Sequence, residues 1–161
     1  IDFDEMINFI KLTKLLICFI ISLFFVCVMV VIQDTITSLL WLSNNGFDIT
    51  YMVLLQSITY NILGSSLLYV ILFITLLLAF IIAASLRLFI QVNGYISYPI
   101  AGFVSLYVMI QITLIVFDKL YVITSVRNTL GLFIFCLIGM LGGFIFNTLK
   151  MIFLKKETLH E

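Results

Sequence analysis

Charge is what this sequence has least of. Of its 161 residues only 10% are Asp, Glu, Lys or Arg, eight basic and eight acidic, while 64% are hydrophobic. A soluble domain carries roughly 25% charged residues, so a water-facing surface could not be assembled from this set. The zero net charge leaves no basic patch for nucleic acid and no acidic tail. Histidine is nearly missing as well. The single one, His160, sits near the end of the chain, which excludes paired axial histidines for a b-type haem, a histidine-based metal site and a Ser-His intramembrane hydrolase. Cys18, Cys27 and Cys136 form no CxxC pair, and they read as small, soft packing residues. No cofactor and no metal is expected.

What is present is long apolar runs with the few charges at their edges, the pattern of a polytopic membrane protein whose first partner is the lipid bilayer. Leu15 to Ile32 carries no charge and is close to the roughly 20 residues needed to cross the hydrocarbon core. Lys11 and Lys14 precede it, but no small-x-small cleavage site with a polar mature domain follows, so it reads as a span rather than a secretory signal. The next segment, "QDTITSLLWLSNNGFD", reads as a loop. Its Trp41 suits the headgroup level, and Asn45-Gly46 is a turn signal.

The second apolar run, Ile49 to Leu86, is nearly twice one crossing, yet two crossings would leave no residues for a turn. The expected solution makes "ITYMVLLQSITYN" a partly amphipathic helix outside or along the membrane surface. The span itself is then residues 62–86, with a bend near Asn61 and Gly64. Arg87 closes it. Pro99, the only proline, suits the first turn of a helix, where its missing N–H has no partner to lose. The third span is accordingly 99–117. After a connector holding Asp118, Lys119 and Arg127, the fourth runs over 129–149 and ends at Lys150.

Four spans put the ends and the middle connector on one side, collecting Lys11, Lys14, Arg87, Lys150, Lys155 and Lys156; the other side has only Lys119 and Arg127. By the excess of basic residues on cytoplasmic loops, both termini are expected in the cytoplasm of a bacterial inner membrane, or its organellar equivalent. The expected fold is an all-α bundle, residues 1–161 forming a single integral membrane domain.

Chemistry inside a membrane usually leaves ionisable residues in the spans, and none lies well inside any of these four. Proton relays and voltage sensors lose their usual carriers. Asp34, Asp48 and Asp118 would sit at the outer ends of spans, where two carboxylates sharing a proton can activate water. In chain length and span number this resembles the lipoprotein signal peptidases, which use such an aspartate pair. However, "SNNGFD" at 43–48 lacks that family's Asn-x-Gly-x-Ala-Phe kind of segment. No Asn-Ala-Asp-like segment precedes the fourth span, and Lys119 follows Asp118 directly. Carboxylates at helix ends are ordinary, and no catalytic residue is assigned.

The last apolar run contains "GMLGGFIFN", three glycines within five positions. Gly139 and Gly143 lie four apart on one helix face, with Gly142 beside them. Small-xxx-small faces let backbones approach closely in lipid. Ala79 and Ala83 repeat the spacing in the second span, as do Ala101 and Ser105 in the third. Gln111, near the middle of the third span, has an amide that is costly to bury unpaired. These eight residues are the candidate helix-packing or partner-contacting set. Without catalytic, haem or ion-relay residues, the expected role is that of a small non-enzymatic accessory or binding subunit that packs against a larger membrane protein. Immunity and entry-exclusion proteins share this general form. The alternative is a small oligomeric channel or transporter, with an aspartyl membrane hydrolase third.

Overall fold

The computed structural model describes residues 3–89, 93–116 and 123–155, with side chains over 11–89, 93–116 and 123–153. Phe117, Asp118, Lys119, Lys156 and His160 lie outside the described residues. All secondary structure within them is helical: α1 (Phe3–Asn44), α2 (Tyr51–Gly64), α3 (Ser66–Phe89), α4 (Gly94–Val116), a single 3-10 turn (Thr124–Arg127) and α5 (Thr129–Lys155). Helices α1, α3, α4 and α5 are each long and apolar enough to cross a membrane. The chain is an all-α, multi-pass membrane protein.

The first helix corrects the expected loop. At 42 residues it is about 63 Å long at 1.5 Å per residue, twice the roughly 30 Å of a hydrocarbon core. The polar residues after Ile32 do not break it because their side chains find partners while the backbone stays helical. Thr35 and Thr37 donate back to the carbonyls of Val31 and Gln33, at 2.8 and 2.9 Å. The helix ends where Asn45-Gly46 predicts. Gly46 takes φ 88°, and the amides of Gly46 and Phe47 turn back to the carbonyls of Ser43 and Leu42, a glycine-dependent stop.

Helix α2 then returns along the C-terminal turns of α1, where the Asn61 amide donates to Thr35 Oγ1 at 2.9 Å. No α2 residue is buried. The break before α3 falls at Ser65, one residue past Gly64, with φ −84° and ψ 33°. The carbonyls loosened there are re-satisfied locally: Ser65 donates from both its N–H and Oγ to Asn61 O, and the Tyr69 hydroxyl donates to Ile62 O at 2.6 Å. Such repairs are what an apolar environment requires of a broken helix. The 38-residue run is therefore one helix broken near the expected place, and the second span begins at Ser66 rather than at 62.

Helix α4 begins at Gly94, five residues before the expected start. Asn93 serves as its N-cap, accepting the Tyr95 N–H on its side chain and those of Ile96 and Ser97 on its carbonyl. Pro99 therefore sits inside the helix. The carbonyl that its missing N–H deprives is that of Tyr95, still in the first turn at the exposed end of the bundle, so the loss is tolerated. The fourth span starts at Thr129 as expected and continues past Leu149 to Lys155.

The long helices close a ring, α1 on α5, α5 on α4, α4 on α3 and α3 on α1. One aromatic from each meets at a common level: Phe19, Phe80, Tyr98 and Phe146, with Phe80 stacked on Phe146 at 4.7 Å and Tyr98 edge-on to Phe146 at 5.0 Å. Outside, large apolar side chains such as Phe24, Leu67, Leu78 and Ile115 are exposed, while Ser22, Ser105, Ser125 and Asn147 are buried. This is the polarity expected when the solvent is hydrocarbon.

Candidate functional site

The glycines of α5 serve two different neighbours. Gly139 and Gly143 face α4. A side chain at Gly139 would overlap the Gly102 carbonyl and come within 2.8 Å of Leu106; one at Gly143 would overlap the Tyr98 carbonyl and come within 2.8 Å of Pro99 N. Gly102 reciprocates, its open side resting on the carbonyl of Gly139. The two backbones touch along a seam built from Gly102, Gly139 and Gly143. Gly142 faces α1 instead. It leaves room for the Val26 side chain, and its carbonyl accepts the buried Ser22 hydroxyl at 2.7 Å. Close approach makes that interhelical hydrogen bond geometrically possible, and in lipid such bonds and packing replace the hydrophobic drive.

Gly102 was not among the expected packing residues. The spacing Ala101–Ser105 selected the neighbouring face, whereas the seam uses Tyr98, Gly102 and Leu106, a four-residue stripe shifted by one position. A search for glycine alone, rather than for pairs of small residues, would have found it.

Ala79, Ala83, Ala101 and Ser105 come together elsewhere. They line a groove of about 500 Å³ between α3 and α4, open along the side of the bundle and bordered by Leu78, Ile82, Ile100 and Val104. Ala83 and Ser105 are buried at its floor; Ala79 and Ala101 are half-buried. The Ser105 hydroxyl is consumed by the Gly102 carbonyl at 2.9 Å, which leaves the groove apolar. Gln111 is half-buried further along α4 and makes no side-chain hydrogen bond among the described residues. The expected set thus divides into an internal glycine group, an open groove and one isolated amide.

Polar side chains gather at the two ends of the bundle. At one end, Gln33 and Asp34, adjacent on α1, hold the connector that leads into α5. The Ser125 N–H donates to Asp34 Oδ1 at 2.8 Å and Gln33 Nε2 donates to the Gly131 carbonyl at 2.8 Å. Gly131 must be glycine there, because its open side abuts the Ser125 carbonyl. Asp34 is therefore engaged in a structural tie, while Asp48 is exposed. At the other end, Lys150 Nζ donates to the buried Tyr98 hydroxyl at 3.0 Å, and Lys150 and Arg87 lie 5.2 and 5.5 Å from the centre of the Tyr98 ring. Asn147, one turn before Lys150, is buried against Gly94, and its Nδ2 has no partner among the described residues. The three cysteines are free and buried, and no three His, Cys, Asp or Glu side chains among the described residues are placed to hold a metal.

No protein-family model matches this chain, and no curated protein or solved structure matches it.

Proposed function

We propose that this chain is a small non-enzymatic accessory subunit that packs against a transmembrane helix of a larger membrane protein through the α3–α4 groove. The observation that carries the reading is the division of the small residues. The glycines are spent inside the chain, whereas Ala79, Ala83 and Ala101 border an apolar groove that no element among the described residues fills. A floor of small side chains admits a second helix at short range, the geometry that favours association in lipid.

Leucine at both Ala79 and Ala101 should fill the groove without touching the glycine seam. The expected result is an isolated protein of wild-type thermal midpoint that no longer retains its membrane partner when purified in gentle detergent from its native membrane. Retention of every associated protein by the double variant counts against the groove. Solute flux or current through liposomes holding the chain alone would instead favour the channel reading, and recovery of nothing but further copies of itself would make the occupant a second copy.

The same reading places both termini in the cytoplasm, supported by the basic residues Lys11, Lys14, Arg87 and Lys150 on one end of the bundle. A cysteine at Asn45 should react with a membrane-impermeant thiol reagent in intact cells, and one at Lys155 should not. The three native thiols are buried and give a low background. Reversed labelling would invert the topology.

A further inference from the structure

The basic end of the bundle has a shape that the accessory-subunit reading does not use. Two cavities share the walls Ile81, Ala84, Tyr98 and Lys150 and therefore lie side by side. The upper one, about 470 Å³, is lined by Ser85, Arg87, Leu88, Tyr98 and Lys150. The lower one, about 280 Å³, runs between α1 and α3 and is walled by Leu12, Leu15, Leu16, Phe19, Leu77 and Phe80. Two cations thus stand at the mouth of an apolar crevice, and both are positioned by one buried ring, with Lys150 also hydrogen-bonded to its hydroxyl. Held in this way, they surrender less side-chain freedom when an anion arrives than surface lysines do.

From this geometry we infer that the crevice is a binding site for one anionic glycerophospholipid, its phosphate at Arg87 and Lys150 and an acyl chain between α1 and α3. A charged head over an apolar slot matches an amphiphile and not a free anion, which would leave the slot unfilled. Basic pockets between transmembrane helices recognise anionic headgroups in this manner. Ser85 is spent on the Ile81 carbonyl, so the cations and the Tyr98 hydroxyl carry the headgroup chemistry.

The test uses the full chain in detergent, titrated with dioleoyl phosphatidylglycerol, dioleoyl phosphatidylcholine or glycerol 3-phosphate, with the thermal midpoint and native mass spectrometry as readouts. Phosphatidylglycerol should raise the midpoint and remain bound at one per chain, whereas phosphatidylcholine and glycerol 3-phosphate at equal concentration should do neither. Lys150→Gln and Arg87→Gln should each weaken phosphatidylglycerol about fivefold, the value of one cation near an anionic surface. Arg127→Gln, at the opposite end, should not. Ala84 is exposed and borders both cavities, so Ala84→Trp should block the lipid while leaving the lipid-free midpoint unchanged. Equal binding of phosphatidylcholine would overturn the inference, as would an equal effect of glycerol 3-phosphate, which would make this a free-anion site. Wild-type affinity in Lys150→Gln and Ala84→Trp together would also sink it.

Discussion

Alanine at Gly143 should lower the thermal midpoint of the isolated protein, and leucine should lower it further, whether or not any partner is present. The added carbon meets the Tyr98 carbonyl and Pro99 N, which are backbone atoms of α4. A clash with a side chain is relieved by a rotamer change; a clash with backbone is relieved only by moving two helices apart. Overpacking a close-fitted site typically costs roughly 1–3 kcal/mol, and the backbone partners place Gly143 and Gly102 at the upper end. Gly142 should cost less, since its neighbour is one methyl of Val26, although a β-branched side chain in a helix has little freedom to turn. Met140 is exposed, and Met140→Leu should leave the midpoint unchanged. Wild-type stability in Gly102→Ala and Gly143→Ala would show that α4 and α5 do not meet along this seam.

Asp34→Ala should produce the second large loss. It removes the acceptor for the Ser125 N–H in a connector packed against α1, and Gln33 holds the far side of that connector through the Gly131 carbonyl. A hydrogen bond to a carboxylate is worth about 1.5–3 kcal/mol, and a buried donor left without a partner costs about as much. Asp34→Asn keeps an Oδ1 in the same place and should recover most of the stability. That contrast separates a tie from a catalytic acid, because an aspartyl hydrolase would lose its activity equally with either substitution. The readout is the thermal midpoint together with hydrogen exchange across Ser125 to Gly131. If asparagine is as damaging as alanine to the fold, geometry alone is not what Asp34 supplies.

The places where the sequence misled are instructive in physical terms. Residues 33–44 look like a loop because loops are polar, yet Thr35 and Thr37 satisfy themselves on their own helix while Gln33 and Asp34 reach across to the α5 connector. Pro99 looks like a helix start because that is where proline usually costs least, but one turn further in, at an exposed end, the cost is a single carbonyl. For Gln33, Asp34 and Pro99 the deciding partner lies on another element or in the solvent, which no local pattern records.

Membrane class, the count of four apolar helices, the turn at Gly46 and the break near Gly64 follow from the sequence by itself. Each depends on residue type and spacing: hydrophobic length against bilayer thickness, a left-handed backbone conformation that glycine tolerates at Gly46, and an apolar run too long for one crossing that must break before the second span. Tertiary structure alone decided what the small residues are for. A glycine pair announces that some helix is close, because removing a side chain permits contact with any backbone. Only the packing order shows that Gly139 and Gly143 meet Gly102 and Tyr98 of α4, that Gly142 makes way for α1, and that Ala79, Ala83 and Ala101 are left facing an open groove. The same holds for Tyr98 with Arg87 and Lys150, three residues from three helices that share one site through the way the bundle closes.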